Sequence, residues 1–470
     1  MKEDNGTNLL KQIRDFAGGP LIGAVINMFT VPFMTRMVSP EEFGKSSLFT
    51  LAQTLFGFFI FLGLDQAFVR YYNTGIEKKK LLFNSIILPV CLCFLVIIGI
   101  IFFKETLSFW LFGQYEPLII LGLCLLLPLL IIHGFSFQLI RMELRGKLYS
   151  LLSIIFQLTN FVCLVFLLLF VERSFRSIVL ALIISNFINT VLVVFFTRDV
   201  WALHTLYFDK ELLKDLLHFG LPLVPAVVLS WVLNSFDKIG LKSWSSFEQL
   251  GLYTAAFKVV SLLGIVQSIF TSVWIPVAYK WYENRVENTK FDKVSTVVLA
   301  VMAACFALIV VCRDIIMLFL GTEYRSASLI FIYLLFVPVM YTISETTVLG
   351  IGFSKKTKFS LYVSIICVII NLIGNYFLIP EFGARGAAIA TCISYLVFFW
   401  MRTLFSRKLW YKFKINKYII NILLLFLLVF AVELDISRIV EIIIMGFIVT
   451  INVFYIKKYN ILMKFAMREI

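Results

Sequence analysis

The chain has 470 residues, of which 61% are hydrophobic and only 15% are charged. Soluble domains carry about 25% charged residues. The mean hydropathy of +0.95 lies far above the soluble range. No water-soluble fold could bury so much apolar surface, so this composition excludes soluble enzymes, nucleic-acid binders and secreted modules and predicts a membrane protein.

Apolar runs of about 18 to 25 residues recur along the whole chain, each long enough to cross a bilayer as a helix. They predict an all-α polytopic membrane protein with about 14 transmembrane helices. In chain order the predicted spans are 16–38, 46–69, 81–103, 117–139, 148–171, 176–196, 217–241, 250–279, 293–312, 327–351, 359–379, 384–403, 416–433 and 438–456.

The basic residues between the spans predict the orientation. If the N-terminus is cytoplasmic, the inner segments hold about 30 Lys and Arg and the outer segments about 11. The runs at 78–80, 355–358 and 402–417 are examples. The bias predicts that both termini are cytoplasmic, and it accounts for the net charge of +14 without a nucleic-acid partner.

Cysteine and histidine give no sign of a disulfide framework or a metal site. Most of the eight cysteines lie inside apolar runs, and the three histidines are far apart in the chain. The chain also lacks a glycine-rich phosphate loop and a plausible catalytic triad. We therefore expect neither an enzyme nor a cofactor. Transport would be driven by an ion gradient, of protons or sodium, by the membrane potential or by the substrate gradient itself.

An internal repeat divides the chain. Ser39–Gly44 and Ser246–Gly251 stand 207 positions apart, and each begins a helix with Ser as N-cap and Glu or Gln at N3. Further matches keep nearly the same offset, such as Asn160 with Asn371. The repeat predicts two parallel six-helix bundles, residues 1–200 and 201–410, followed by two appended helices in residues 411–470. Two such halves can enclose a central cavity that opens to either side.

Polar residues inside the spans are the candidates for a substrate site. Asn234 and Asp237 share one face of the seventh predicted span, with Lys238 beside them. Lys258 is the most deeply placed cation, and a charge at that depth requires either a wet cavity or an acidic partner. Two interpretations stay open for Lys258: a substrate-binding cation, or an ion pair with Asp237.

Other charged residues lie nearer the span ends. Arg36 and Arg70 are further candidates for substrate binding, although snorkelling and the positive-inside rule also explain them. Asp65, Glu345 and His133 join Asp237 as candidates for ion coupling.

Several short motifs resemble a known family. They are Ser39–Gly44, Gly63–Tyr72 at the end of the second span, Gly321–Tyr324 after the ninth, and Phe382–Ala388 before the twelfth. Together they resemble the Wzx-type polysaccharide flippases of the MOP superfamily, which also contains lipid II flippases and MATE exporters. The fold implied is the MATE-like pair of bundles. Many Wzx-type members have about twelve spans, so fourteen would bring this chain nearer the lipid II branch, in which the last helix pair borders a lipid groove.

The resemblance implies a function. The substrate would be an oligosaccharide on undecaprenyl diphosphate, moved from the inner to the outer leaflet of the bacterial plasma membrane, with cavity cations holding the diphosphate. Membrane lipids, a polysaccharide polymerase and chain-length proteins would be the partners. The alternatives are a lipid II flippase, a MATE-type antiporter for organic cations, a scramblase or structural protein, and a membrane enzyme of the same pathway. The enzyme is disfavoured because no outer loop exceeds about 15 residues.

Overall fold

The computed structural model describes residues 4–201, 208–356 and 358–458, without the side chains of residues 4–14, 17, 226, 230, 233, 234 and 458. The described chain is made of α-helices, and no strand occurs in these ranges. It divides into two compact units, Met1–Ser235 and Phe236–Ile470. The division into six-helix bundles at residues 200 and 410 stays a prediction.

The first unit contains nine helices in its described part and the start of a tenth. Ser39 caps α2 by accepting a hydrogen bond from the Glu42 amide, as the sequence predicts. A break follows α2, where Leu62 and Gly63 adopt φ of 46° and 75°. The helices are α1 (Asp4–Met37), α2 (Pro40–Phe61), α3 (Leu64–Tyr71), α4 (Lys78–Phe102), α5 (Lys104–Phe112), α6 (Pro117–Met142), α7 (Gly146–Phe170), α8 (Phe175–Trp201), α9 (Lys210–Gly220) and α10 (Val224–Trp244).

The second unit holds the end of α10 and the remaining helices. Ser246 caps α11 through the Gln249 amide, again as predicted. The last two helices belong to this unit and pack against each other and against α12. The helices are α11 (Phe247–Glu283), α12 (Asn288–Val311), α13 (Arg313–Phe319), α14 (Ala327–Leu334), α15 (Phe336–Thr347), α16 (Leu349–Phe353), α17 (Lys358–Leu409), α18 (Asn416–Glu433) and α19 (Arg438–Lys458).

Twelve helices in the described residues are long and apolar enough to cross a membrane, or thirteen if α2 and α3, bent by 54°, form one broken span. Helix α17 has 52 residues and is interrupted at Gly383, where φ is 56° and ψ is −132°. A helix of that length measures about 78 Å, more than twice the hydrocarbon thickness. The protein is thus a multi-pass membrane protein, and the total of fourteen spans stays a prediction.

The surface has the polarity expected in lipid. Phe102, Leu118 and Phe170 are each at least 74% exposed, while polar side chains such as Asn189 and Asn375 are fully buried. In a bilayer, apolar side chains can face outwards at no cost, whereas polar side chains must find partners inside the bundle.

Hydrogen bonds at corresponding positions support the internal repeat. The Glu42 side chain accepts a hydrogen bond of 2.7 Å from the Phe175 amide, at the start of α8. The Gln249 side chain accepts one of 3.0 Å from the Ala384 amide, just after the break in α17. In both units, the third residue of a capped helix therefore satisfies an amide that a helix N-terminus leaves without an intrahelical partner.

A second pair of contacts repeats in the same way. Asn160 of α7 donates to the Ser185 hydroxyl at 3.1 Å, and Asn371 donates to the Thr391 hydroxyl at 3.2 Å. The sequence matches Asn160 with Asn371, and their partners occupy corresponding helices. Both units thus join these helices by an amide–hydroxyl hydrogen bond, as expected after duplication of one structural unit.

Candidate substrate and coupling sites

Asp237 is a buried carboxylate of the second unit with three hydrogen-bond donors. It lies on α10 and is only 2% exposed. Its Oδ1 accepts a hydrogen bond of 2.6 Å from the Asn375 amide, and its Oδ2 accepts from the Thr391 hydroxyl at 2.8 Å and from the Tyr253 hydroxyl. Three neutral donors from α11 and α17 therefore offset the cost of burying this carboxylate. Both interpretations of Lys258, a substrate-binding cation and an ion pair with Asp237, stay predictions.

Asp237 and the side chains around it form a connected hydrogen-bond network that is rich in oxygen atoms. Asn375 also donates to Asn371 at 3.0 Å, and Asn371 in turn donates to Thr391. The Oδ1 atom of Asn375 is buried and accepts no hydrogen bond from the described residues. Carboxylate, carboxamide and hydroxyl oxygens are the ligands of hard cations, and a carboxylate can alternatively take up a proton. The arrangement therefore suits a coupling site for either ion, and Asp237 is a member of it.

The two candidate lysines come together beside this network. Lys238 follows Asp237 on α10 and is attracted by its charge. Lys258 of α11, whose side chain is exposed on the surface of the second unit, is repelled by the charge of Lys238. Lys238 is thus within electrostatic range of one charge of each sign, those of Asp237 and Lys258. The side chain of Asn234, also predicted to bind substrate, lies outside the described residues.

The two candidate arginines belong to the first unit. Arg36 is in the last turn of α1 and Arg70 in the last turn of α3, and both side chains are exposed. These positions at helix ends suit a charge that reaches the membrane surface. A role for either arginine in substrate binding stays a prediction.

Asp65 and His133 line one cavity within the first unit. This cavity has a volume of about 480 Å³ and lies between α2, α3, α6 and the start of α10. The Asp65 carboxylate accepts a hydrogen bond of 2.7 Å from Gln66, which also lines the cavity, and the His133 ring packs on Phe137 with 4.5 Å between centroids. The structure thus brings together two coupling candidates that the sequence places 68 positions apart.

Glu345 is engaged in a buried ion pair. The residue is 4% exposed and accepts a hydrogen bond of 2.8 Å from Arg402. Arg402 also donates to Ser344 at 2.6 Å and lies over the ring of Phe398. The sequence places Arg402 only among the basic residues of the 402–417 segment and does not predict its pairing with Glu345. The available signal was that Arg402 lies inside the twelfth predicted span, one residue from its end.

Two further charged contacts were not predicted. Lys417 at the start of α18 donates to Asp292 at 2.9 Å, and both side chains are buried. Arg313 on α13 donates to Glu441 of α19 at 2.8 Å, and Glu441 also accepts from Arg438 at 3.1 Å. These contacts join the first turns of α18 and α19 to the helices of the second unit that precede them.

Comparison with known proteins identifies the family. Residues 15–281, more than half of the chain, match the polysaccharide biosynthesis protein family. The chain belongs to this family. The probable low-salt glycan biosynthesis flippase Agl15 of Haloferax volcanii is 21% identical over 80% of this chain and 79% of that protein. The uncharacterized membrane protein MJ1068 of Methanocaldococcus jannaschii is 23% identical over 84% of each.

Solved structures share the fold. The lipid II flippase MurJ in its inward closed conformation superposes with a TM-score of 0.72 at 18% identity, over 94% of this chain and 98% of that chain. An inward-facing MATE multidrug transporter of the MOP superfamily gives 0.60 at 16% identity, over 82% and 94%. The predicted MATE-like fold is thus confirmed, and the match over residues 15–281 shows that the chain belongs to a polysaccharide biosynthesis family. Among the relatives and structures compared, those whose names state a role are flippases or transporters, which agrees with the prediction that the chain is not an enzyme.

Proposed function

We propose that this protein is a flippase that moves a lipid-linked oligosaccharide across the membrane. The observation that carries the proposal is the family match over residues 15–281, joined to a relative named as a glycan biosynthesis flippase. The carrier lipid is undecaprenyl diphosphate, and the direction is from the inner to the outer leaflet of a bacterial plasma membrane. Both termini are cytoplasmic, and transport proceeds by alternating access.

The diphosphate is held by cations of the chain. Lys258 and Lys238 support this assignment because each lies within electrostatic range of the other. Lys258 also lies in a helix long and apolar enough to cross a membrane, where an anion gains more from a cation than it would in water. Two like charges so placed repel each other, and a bound diphosphate relieves that repulsion. Arg36 and Arg70 meet the anion nearer the membrane surfaces.

The network around Asp237 couples transport to a proton or sodium gradient. Its buried carboxylate, with the hydroxyl and carboxamide oxygens around it, can exchange one cation per cycle. Glu345 of the same unit is not part of this coupling site, because its charge is already neutralised by Arg402.

Reconstitution tests this proposal. The purified protein is placed in liposomes that contain lipid-linked oligosaccharide extracted from cells depleted of it. We expect the glycan to reach the opposite leaflet, where an added glycosidase removes it, and we expect depleted cells to accumulate the same lipid at the inner leaflet. Lipid II provides the comparison. Transport of lipid II with no transport of the extracted oligosaccharide lipid would make the protein a lipid II flippase instead.

A further inference from the structure

The cavity within the first unit is lined by several polar side chains, two of which carry atoms without a hydrogen-bond partner in the described residues. It lies beside the break between α2 and α3, so its wall contains Gly63, in the left-handed conformation, as well as the Asp65 and Gln66 side chains. The opposite wall is formed by His133 on α6 and by the first turns of α10. At about 480 Å³, the cavity is far larger than the space of a single water molecule, about 30 Å³. It falls within the range of ligand pockets.

Two side chains that line this cavity each carry a buried polar atom without a partner. The Oε1 atom of Gln53 and the Nε2 atom of His133 make no hydrogen bond to any residue that the structure describes. A buried polar atom without a partner costs on the order of 1–3 kcal/mol, so both side chains gain if they turn toward a ligand or ordered water in the cavity. The two residues lie on different helices, α2 and α6, and both line the same space.

The remaining lining narrows the chemistry of that ligand. Asp65 contributes a carboxylate and Gln66 a carboxamide, while Phe58 and Phe61 contribute aromatic rings. A carboxylate in the wall disfavours the diphosphate itself. Carboxylate and carboxamide oxygens accept hydrogen bonds from hydroxyl groups, and aromatic rings cover the apolar faces of a sugar ring. Among the described residues, no group of three or more His, Cys, Asp or Glu side chains is placed to hold a metal ion.

We propose that this cavity binds a sugar residue of the transported glycan, with Gln53 and His133 recognising its hydroxyl groups. The assignment rests on the proposed flippase function and adds that separate groups of residues bind the two parts of the substrate. Cations of the second unit bind the diphosphate, and the cavity of the first unit binds the sugar. Selectivity for the glycan then depends on hydrogen bonds to hydroxyl groups, because an analogue lacking a hydroxyl leaves Gln53 or His133 without its partner.

The test compares two ligands on the purified full-length protein. One is lipid-linked oligosaccharide extracted from cells depleted of the protein, and the other is undecaprenyl diphosphate, which carries no sugar. We expect Gln53→Leu and His133→Leu to weaken binding of the first at least about tenfold and to leave binding of the second unchanged. His133→Gln, which keeps hydrogen-bonding atoms, should recover part of the loss. Gln138→Leu is the matched control, since Gln138 also has a buried Oε1 atom without a partner in the described chain but does not line the cavity.

The outcomes separate the two proposals. If the wild-type protein binds neither lipid, the flippase proposal fails. If it binds both lipids but the Gln53 and His133 variants lose affinity for neither, the flippase proposal stands and the cavity holds water only. Equal losses for both lipids would mean that the variants damage the fold, and would also overturn the sugar assignment. Loss confined to the glycan-bearing lipid is the result we expect.

Discussion

At the scale of single residues, Lys258 provides the sharpest test of anion binding. Lys258→Ala should abolish flipping while leaving expression near normal, because its side chain lies exposed on the second unit and takes no part in its buried core. Lys258→Arg should retain part of the activity, since Arg keeps the charge but binds phosphate with a different geometry. The assay is glycan transport in liposomes. Lys280→Ala, a change of the same type in the last turn of α11, is the control. Full transport by Lys258→Ala would remove this residue from the substrate site.

Asp237 tests the coupling proposal at the same scale. Asp237→Asn removes the charge and turns an amide toward two hydroxyl donors, so it should abolish the response of transport to an imposed proton or sodium gradient. Thr391→Ser retains the hydroxyl and should keep that response, whereas Thr391→Val should weaken it. The measurement is the flipping rate with and without each gradient. A gradient response in Asp237→Asn equal to that of wild type would contradict the proposed coupling site.

At the scale of elements, the break between α2 and α3 depends on two glycines in contact. Gly63 has φ of 75°, and a Cβ atom there would collide with the backbone carbonyl of Gly220 at the end of α9. A Cβ at Gly220 would in turn lie 2.9 Å from the backbone of Gly63. The amphipathic helix α9 can therefore dock on α3 only where both residues lack a side chain.

Gly63→Ala should therefore destabilise the protein, by about 1–3 kcal/mol, through positive-φ strain and the backbone collision together. Thermal unfolding in detergent measures the effect as a lower midpoint. Gly99→Ala is the control, because Gly99 lies within α4 with open space around its Cα and alanine favours a helix. An unchanged midpoint for Gly63→Ala would show that α3 and α9 separate without cost.

At the scale of the whole molecule, the sequence predicted contacts between residues close in the chain, but it did not predict contacts between residues far apart in the chain. The caps at Ser39 and Ser246 depend on residues three positions away, so the sequence alone predicted them. Glu345 pairs with Arg402, 57 positions away, and Glu441 pairs with Arg313, 128 positions away, and no periodicity links either pair. The sequence matches Asn371 with Asn160, but only the folded chain shows that Asn375, one turn further along the helix, donates to Asp237.

The number of times that α17 crosses the membrane determines the total number of spans. Its 52 residues and the break at Gly383 fit two crossings with an outer turn, which would complete fourteen spans with both termini inside. In a variant lacking the native cysteines, a membrane-impermeant thiol label added to intact cells should react with Glu381→Cys. It should reach Lys356→Cys and Lys408→Cys only after the membrane is permeabilised. Glu172→Cys, in the short connection between α7 and α8, is the matched outer control. Labelling of position 356 but not of 381 in intact cells would show that the orientation is the reverse of the one predicted. Labelling of neither 381 nor 172 would lead to the same conclusion. Equal protection of 356 and 381 with 172 labelled would mean that α17 does not turn at the outer surface.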